Sequence, residues 1–329
     1  MRVLITGGAG FIGSHLAELM LKTGRQVTVL DDLSTGSVGN IAHLATTPGF
    51  ELVVGSVADS VLVSQLVARC DAIVHLAAAV GVRLVLDKPV HTIENNLFGT
   101  GVVLAAAARA VEQGREMLVL IASTSEVYGK SSKSPFSEGD DVTLGPTVNA
   151  RWAYACSKAM DEWLGLAYWH EKQVPVIIAR FFNTVGARQT GRYGMVLPTF
   201  TDQAIAREPI TVFGSGDQSR CFCHVSDTVE AVVRLLDTPT AVGEVFNVGA
   251  SPEIRIYDLA IAVRDAVGSD SPIKLVRYAD AYAVGFEDML RRVPDVRKLE
   301  RFTGFRPRIP LEKIISDVIA DRRARLTPA

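Results

Sequence analysis

Six short apolar runs recur through the first 180 residues, and they are continuous instead of alternating with polar residues. They lie at residues 3–5, 27–30, 52–54, 72–74, 118–121 and 176–178. Continuous runs of this length are typical of parallel strands that are covered on both faces. Between them lie segments of helical length, at residues 11–23, 60–68, 94–113 and 150–172. The alternation predicts an α/β fold with a doubly wound parallel sheet, the Rossmann arrangement.

The regular alternation ends after residue 180. Prolines then punctuate the chain at positions 198, 209, 252, 272, 294, 307 and 310, which favours shorter elements. A helical pattern over residues 225–236 and an apolar run over 245–248 are typical of elements that return to the main sheet. We predict a first domain over residues 1–180 with a return segment at about 225–248. A smaller, discontinuous C-terminal lobe is predicted over residues 181–224 and 249–329.

The charge of the chain argues against a nucleic-acid or membrane partner. Thirty-four basic and 36 acidic residues give a net charge of −2, which creates no field that would attract polyanions. The apolar first strand follows Met1 directly, and no apolar run approaches the roughly 18 residues of a membrane helix. The four cysteines lack Cys-x-x-Cys spacing and the six histidines lack paired metal-ligand spacing. We therefore expect a cytoplasmic, metal-free protein.

Three glycines mark the turn between the first strand and the first helix. Gly7, Gly10 and Gly13 stand where a backbone turn can approach a pyrophosphate, although their spacing differs by one position from Gly-x-Gly-x-x-Gly. Asp31 ends the second strand, 18 residues after Gly13, where a carboxylate can accept hydrogen bonds from adenosine ribose hydroxyls. Asp32 follows it. A 2′-phosphate would face an anion there, so the pattern favours NAD over NADP.

Tyr154 and Lys158 form a second motif, four residues apart in a predicted helix. That spacing puts the phenol and the ammonium on one face, with Cβ atoms about 5 to 6 Å apart. We expect the ammonium to lower the pKa of the phenol, so that tyrosine becomes a base at neutral pH. Together with the glycine turn, the pair predicts dinucleotide-dependent redox chemistry at a carbon that bears a hydroxyl.

These motifs make the chain resemble the extended short-chain dehydrogenases of the nucleotide-sugar epimerase/dehydratase family, over essentially its whole length. The matching segments are residues 6–13, 75–78, 96–100, 123–129, 154–158 and 180–183. One departure is Gly55-Ser56-Val57, where the family usually has an aspartate that holds the adenine amino group. The resemblance implies NAD contacts by Gly7, Gly10, Phe11, Ile12, Gly13, Asp31, Asp32, Ser56, Val57, Leu76, Ala77, Ala78, Asn96, Tyr154, Lys158 and Phe181.

The resemblance also implies the catalytic roles. Tyr154 would remove the proton of a sugar hydroxyl, Lys158 would bind the nicotinamide ribose, and Thr124 would hydrogen-bond the sugar oxygen. Glu126 stands where members that only epimerise neutral sugars usually have a small or hydroxyl residue, and it resembles the carboxylate of UDP-glucuronate decarboxylases and some dehydratases. It is equally compatible with a solvated loop acid.

A uridine nucleotide sugar is the substrate that the resemblance implies. Predicted substrate contacts are Thr124, Ser125, Glu126, Tyr154, Asn183, Arg192, Arg220, Arg292 and Asp295. Asn183, Arg220 and Arg292 match residues that hold the diphosphate and ribose, because charge-assisted pairs suit a diphosphate. Arg192 lies in a loop where it would meet the carboxylate of a glucuronate.

The reaction predicted first is 4-epimerisation of UDP-glucuronate to UDP-galacturonate, with Arg192 holding the carboxylate near the ring plane so that CO₂ is retained. UDP-glucuronate decarboxylation is the alternative that Glu126 favours, and UDP-glucose 4-epimerisation comes next. A non-catalytic NAD-sensing regulator would be expected to lack Tyr154 or Lys158, and both are present. In this family the helices around 94–113 and 150–172 commonly pair across a dimer, so a homodimer is expected.

Overall fold

The computed structural model describes residues 1–80, 87–191, 195–281, 287 and 289–326. The helices are α1 (Phe11–Lys22), α2 (Ser60–Val67), α3 (Pro89–Glu112), α4 (Trp152–Lys172), α5 (Val196–Ile205), α6 (Val225–Leu236), α7 (Ile256–Val267), α8 (Tyr278–Ala281), α9 (Arg297–Thr303) and α10 (Leu311–Leu326). The first eight strands are β1 (Arg2–Thr6), β2 (Gln26–Asp31), β3 (Phe50–Val54), β4 (Ala72–His75), β5 (Leu118–Thr124), β6 (Val176–Phe181), β7 (Thr184–Val185) and β8 (Ile210–Phe213). The others are β9 (Ser219–Cys221), β10 (Cys223–His224), β11 (Val245–Val248), β12 (Glu253–Arg255), β13 (Ile273–Val276) and β14 (Arg291–Arg292).

The main sheet is parallel. Within the described ranges it has seven strands in the order β11-β6-β5-β4-β1-β2-β3. Each of the six apolar runs lies inside one of its strands, and the run at 245–248 supplies the edge strand β11. The doubly wound α/β fold predicted from the sequence is thus confirmed.

Both faces of this sheet are buried, which is why its strands are continuously apolar. Val3 and Ile5 pack into one core cluster together with α1 and α6, whereas Leu4 packs into a second cluster with α2 and α3. All three side chains are fully buried. A strand whose alternate residues enter two different cores has no face left for polar residues.

A smaller core lies outside the main sheet. It is built mainly from the apolar faces of α5, α7 and α10, with Phe200, Leu259 and Ile315 among its buried members. Strands β9, β12 and β14 form a separate small sheet beside it. Helix α6 packs on α1 and β11 pairs with β6, so residues 225–248 contact the first half of the chain. The numerical division into two domains stays a prediction.

Among the helices of the described part of the chain, none combines the length and the apolar character that crossing a bilayer requires. The histidines, cysteines and carboxylates of the same residues form no group of three or more that could hold a metal ion. The cytoplasmic location expected from the sequence stays a prediction.

Candidate active site

Tyr154 and Thr124 meet at the carboxyl edge of the main sheet. Thr124 is the last residue of β5, and Tyr154 lies in the first turn of α4, which packs against that strand. Both residues are 8% exposed, and the Thr124 side chain hydrogen-bonds the Tyr154 phenol. Parallel sheets of this kind bind ligands at this edge. The geometry thus brings together the two hydroxyl groups that the sequence placed in one site.

The Tyr154 phenol is less acidic than the sequence predicted. Burial, followed by the negative charge of Glu126, raises its pKa, and the hydrogen bond from Thr124 acts in the opposite direction. Lys158 follows one helical turn later, but its ammonium donates to a carboxylate oxygen of Asp161 over 2.7 Å. The ammonium is thus paired with a carboxylate of its own helix, and its predicted effect on the phenol pKa stays a prediction.

Glu126 is a largely buried carboxylate, 12% exposed, held between two arginines. It lies in the single turn of 3-10 helix over Ser125–Tyr128, and it accepts hydrogen bonds from Arg151 and, over 3.4 Å, from Arg292. Burial would raise its pKa, but the charges of Arg151 and Arg292 hold the pKa below its usual value. Glu126 is therefore an ionised group inside the site and not a solvated loop acid.

The sequence interpretation missed Arg151. Its side chain is almost fully buried, although it lies immediately before α4. The signal that could have found it is its position three residues before Tyr154, which places it one helical turn earlier on the same side of the chain. Its contact with Glu126 joins β5 to the start of the helix that carries Tyr154.

The two arginines expected to hold a diphosphate lie side by side. Arg220 in β9 and Arg292 in β14 are register partners in a parallel pair, so their side chains leave the small sheet on the same face. The charge of Arg220 also lowers the pKa of Glu126. Asn183 lies next to the end of β9, because its side-chain amide donates to the carbonyl of Cys221 over 3.0 Å.

Three more predicted substrate residues are Ser125, Asp295 and Arg192. Ser125 is buried beside Thr124, and the Asp295 carboxylate accepts hydrogen bonds from the backbone and the guanidinium of Arg297, at 2.6 to 3.1 Å. Arg192 lies outside the described residues. Its role as a carboxylate anchor stays a prediction, as do the substrate roles of Ser125 and Asp295.

The glycine turn has the close backbone packing that a pyrophosphate cradle requires. Gly7 has φ +71°, and a Cβ there would lie 2.8 Å from the backbone nitrogen of Ala77. A Cβ on Gly13 would lie 2.4 Å from the carbonyl oxygen of Gly7. Gly10, which has no side chain to cap the helix, stands immediately before α1. The backbone N–H groups at this helix start can therefore face an anion.

Asp31 closes the same site from the end of β2. One carboxylate oxygen accepts from the backbone of Ala9 over 2.9 Å and the other from Leu33 over 2.8 Å. Burial raises the pKa of Asp31, and these two hydrogen bonds oppose that shift. A carboxylate oxygen can accept more than one hydrogen bond, so the side chain still has capacity for ribose hydroxyls.

The remaining predicted NAD contacts follow the same edge of the sheet. Asn96 accepts from the backbone of Ala79 over 2.8 Å and donates to Ser157 over 3.0 Å, which ties the loop after β4 to α4. The others lie at the start of α1, at strand ends or in the loops after the strands: Phe11, Ile12, Asp32, Ser56, Val57, Leu76, Ala77, Ala78 and Phe181. Their contacts with NAD stay predictions.

Two buried polar groups beneath the site escaped the sequence analysis. His75 lies between the hydroxyls of Thr6, at 2.7 Å, and Thr100, at 3.1 Å, and burial together with the charge of Lys158 lowers its pKa to about 3. Glu162 accepts hydrogen bonds from Arg180 over 2.7 to 3.2 Å, and both side chains are buried. The His75 hydrogen bonds join the carboxyl end of β4 to β1 and α3, and the Glu162–Arg180 pair joins β6 to α4.

Comparison with known proteins shows one family over nearly the whole chain. Residues 4–318 match the family model described as GDP-mannose 4,6 dehydratase. The chain is 39% identical over 319 residues to a UDP-N-acetyl-alpha-D-glucosaminuronate decarboxylase from Bacillus cytotoxicus, covering 97% of this chain and 96% of that protein. It is 36% identical to UDP-glucuronic acid decarboxylase 1 from Xenopus tropicalis, covering 97% of this chain and 71% of that protein.

A solved structure gives a third comparison. It is UDP-glucuronic acid 4-epimerase from Bacillus cereus in complex with UDP-glucuronic acid and NAD, which is similar with a TM-score of 0.87. The two chains are 26% identical, and the match covers 99% of this chain and 100% of the other. The same fold therefore serves a decarboxylase and an epimerase among the proteins that this chain resembles.

Proposed function

Because the chain belongs to the GDP-mannose 4,6 dehydratase family of NAD-dependent nucleotide-sugar enzymes, we propose that it decarboxylates a UDP-linked hexuronic acid. The observation that carries the proposal is the position of Glu126, an ionised carboxylate held by Arg151 and Arg292 at the Tyr154 phenol. A reaction confined to carbon 4 of a neutral sugar needs no such group. The decarboxylases reported above give the proposal independent support.

The cofactor in this proposal is NAD, which is bound in the related Bacillus cereus structure. Gly7, Gly10 and Gly13 would receive its pyrophosphate, and Asp31 would receive the adenosine ribose. The close contacts around these glycines fit the cofactor, because any side chain would fill the space that the phosphates need. The chemistry that NAD would supply when bound is reversible acceptance of the hydride that leaves carbon 4 of the sugar.

Tyr154 acts as the base in the oxidation. It removes the proton of the 4-hydroxyl, and Thr124 holds the same sugar oxygen by a hydrogen bond. Because the phenol pKa is raised in the buried site, the base form needs a positive charge close by. The Lys158 ammonium, one helical turn further along α4, stands on the side that can provide this charge.

Oxidation converts the hexuronic acid into a β-keto acid. The bond between carbons 5 and 6 breaks when it aligns with the carbonyl π orbitals, its electron pair forms the enolate, and CO₂ leaves. Carbon 5 must then gain one proton. Thr124 and Tyr154 hydrogen-bond the enolate oxygen, which is where the negative charge collects.

Glu126 supplies the proton in this scheme. A substrate carboxylate that enters the site adds a second anion and competes for Arg151 and Arg292, and both effects raise the pKa of Glu126. Glu126 therefore takes up a proton from solvent on substrate binding and delivers it to carbon 5. One proton enters and one CO₂ leaves, which balances the overall reaction.

UDP-glucuronate 4-epimerisation, the reaction that the sequence favoured, is the second candidate. The Bacillus cereus epimerase shares the fold over the full length of both chains. That reaction requires the carboxylate to be held near the ring plane, the role predicted for Arg192. UDP-glucose 4-epimerisation, the third alternative, would need no anchor for a carboxylate.

The test is a product analysis with two substrates. Purified protein is incubated separately with UDP-glucuronate and UDP-N-acetylglucosaminuronate in deuterated buffer, and products are followed by proton NMR while CO₂ is trapped. Release of CO₂ with a UDP-linked pentose or its N-acetylamino counterpart, carrying deuterium at carbon 5, is the expected result. Accumulation of the 4-epimer without CO₂ would contradict decarboxylation and establish the epimerase.

A homodimer is also part of the proposal. Helices α3 and α4 pack on each other, and they expose Phe98 to 65% and Trp163 to 57% at the surface of the single chain. Large apolar side chains on adjacent helices are typical of an interface.

We expect the protein to be a dimer by light scattering and Trp163→Glu to be a monomer, because a charge in an apolar interface is costly. Val61→Glu on α2, where the valine is 66% exposed, is the matched control and should stay dimeric. A Trp163→Glu protein that remains a dimer would exclude this interface.

A further inference from the structure

We propose that Asp161 is a positioning residue whose carboxylate holds the Lys158 ammonium and keeps it charged inside the active site. The proposal rests on the proposed function only for its turnover measurement. It concerns a residue that the sequence interpretation did not single out. Asp161 lies on the same helix as Lys158 and gives the buried ammonium a counter-charge.

The geometry of the pair is that of a closed, buried ion pair. The Asp161 side chain is fully buried and Lys158 is 3% exposed, with 2.7 Å between Nζ and the nearer carboxylate oxygen. Their spacing of three residues puts both on one face of α4. Tyr154 lies on the same face one turn earlier, so the pair and the phenol share one buried environment.

The second carboxylate oxygen of Asp161 also supports a positioning role for this residue. It is buried and has no hydrogen-bond partner among residues 1–80, 87–191, 195–281, 287 and 289–326. A carboxylate kept only for folding would be expected to satisfy both oxygens. The Lys158 ammonium is the hydrogen-bond partner of the buried Asp161 carboxylate, and each of the two charges is neutralised by the other.

The groups that face Lys158 have different charges. On α4 this is Asp161, and from β4 it is His75, which is neutral because burial lowers its pKa to about 3. Glu126 and Arg151 act on the phenol from the 3-10 turn and the start of α4, and they are paired with each other. Asp161 is therefore the anion in direct contact with the ammonium.

Removing the Asp161 carboxylate should reduce the activity of the enzyme at high pH. A buried ammonium without a counter-charge releases its proton more readily, and a neutral amine no longer stabilises the Tyr154 phenolate. We expect the activity of Asp161→Asn, relative to that of the wild type at the same pH, to fall about tenfold between about pH 7 and about pH 9. Asp161→Glu, which keeps the charge, should restore much of the wild-type profile.

Two comparisons separate this role from a structural one. Arginine stays protonated without a partner, so adding Asp161→Asn to Lys158→Arg should not shift the pH profile of Lys158→Arg. A merely structural Asp161 would instead reduce activity by the same factor at every pH, together with a lower melting temperature. An Asp161→Asn enzyme with the wild-type pH profile would overturn the proposal.

A measurement on the wild-type protein needs neither substrate nor a folded variant. Nitrogen-15 NMR of the lysine side chains, with Lys158 assigned by loss of its signal in Lys158→Arg, should show a charged ammonium up to about pH 9. Loss of the ammonium form below about pH 8 would overturn the proposal. If the proposed substrates fail but this titration behaves as expected, only the proposed function is wrong.

Discussion

Tyr154→Phe should reduce turnover by about a thousandfold or more while leaving the fold intact. Proton transfer by a positioned side chain contributes about 10² to 10⁴ in rate, and the phenol is the group that receives the proton of the sugar hydroxyl in the proposed reaction. The ring itself stays buried in the variant, since only the hydroxyl that contacts Thr124 is removed. The measurement is steady-state consumption of the UDP-linked hexuronic acid, with circular dichroism as the check on folding.

The pH dependence gives a second readout of the same residue. Burial and the charge of Glu126 raise the phenol pKa, so the base form is scarce at neutral pH and increases as pH rises. Wild-type turnover should therefore increase with pH across the neutral range, and Tyr154→Phe should lose this dependence. The matched control is Tyr168→Phe on the same helix, about four turns later, which should keep wild-type kinetics. Substantial activity in Tyr154→Phe would contradict the mechanism.

The sheet was predictable because its strands are buried on both faces. Residues such as Val3, Leu4 and Ile5 have to be apolar on both faces of the sheet. The strand can therefore be recognised in the sequence without knowing which elements pack against it. The same holds for the glycine turn. Gly7 and Gly13 are constrained by backbone contacts a few residues away or on the next strand, and such local constraints leave a spacing in the sequence.

The charge pairs were not predictable to the same degree. Lys158 was expected to act on Tyr154, because both lie in one motif, but its partner Asp161 was hidden three residues beyond the motif. Arg151 and Arg292 reach Glu126 from positions 25 and 166 residues away along the chain. Which acid meets which base depends on how the elements pack. Residue spacing within one segment carries no information about that packing, so the roles of these ions had to be derived from the structure.

Glu126→Gln should separate loss of CO₂ from protonation of carbon 5. The amide keeps the size of the side chain and can still accept a hydrogen bond from Arg151, but it can neither take up nor deliver a proton. The groups assigned to the oxidation, Tyr154, Lys158 and Thr124, are unchanged. We expect the first hydride transfer and the release of CO₂ to persist and protonation of carbon 5 to slow by about a hundredfold or more, the usual cost of removing a general acid.

The measurement is a single-turnover experiment in deuterated buffer that follows NADH absorbance, trapped CO₂ and deuterium at carbon 5 of the product. In the wild type, NADH should rise and then fall as deuterium enters carbon 5, whereas in Glu126→Gln it should accumulate after CO₂ has been released. Glu116→Gln is the matched control, because this exposed acid lies just before the opposite end of the same strand β5 and should behave like the wild type. If Glu126→Gln still incorporates deuterium at carbon 5 at the wild-type rate, the proton comes from another group and the carboxylate serves only to hold Arg151 and Arg292. Because the two arginines stay in place in the variant, either outcome distinguishes proton delivery by Glu126 from its electrostatic role.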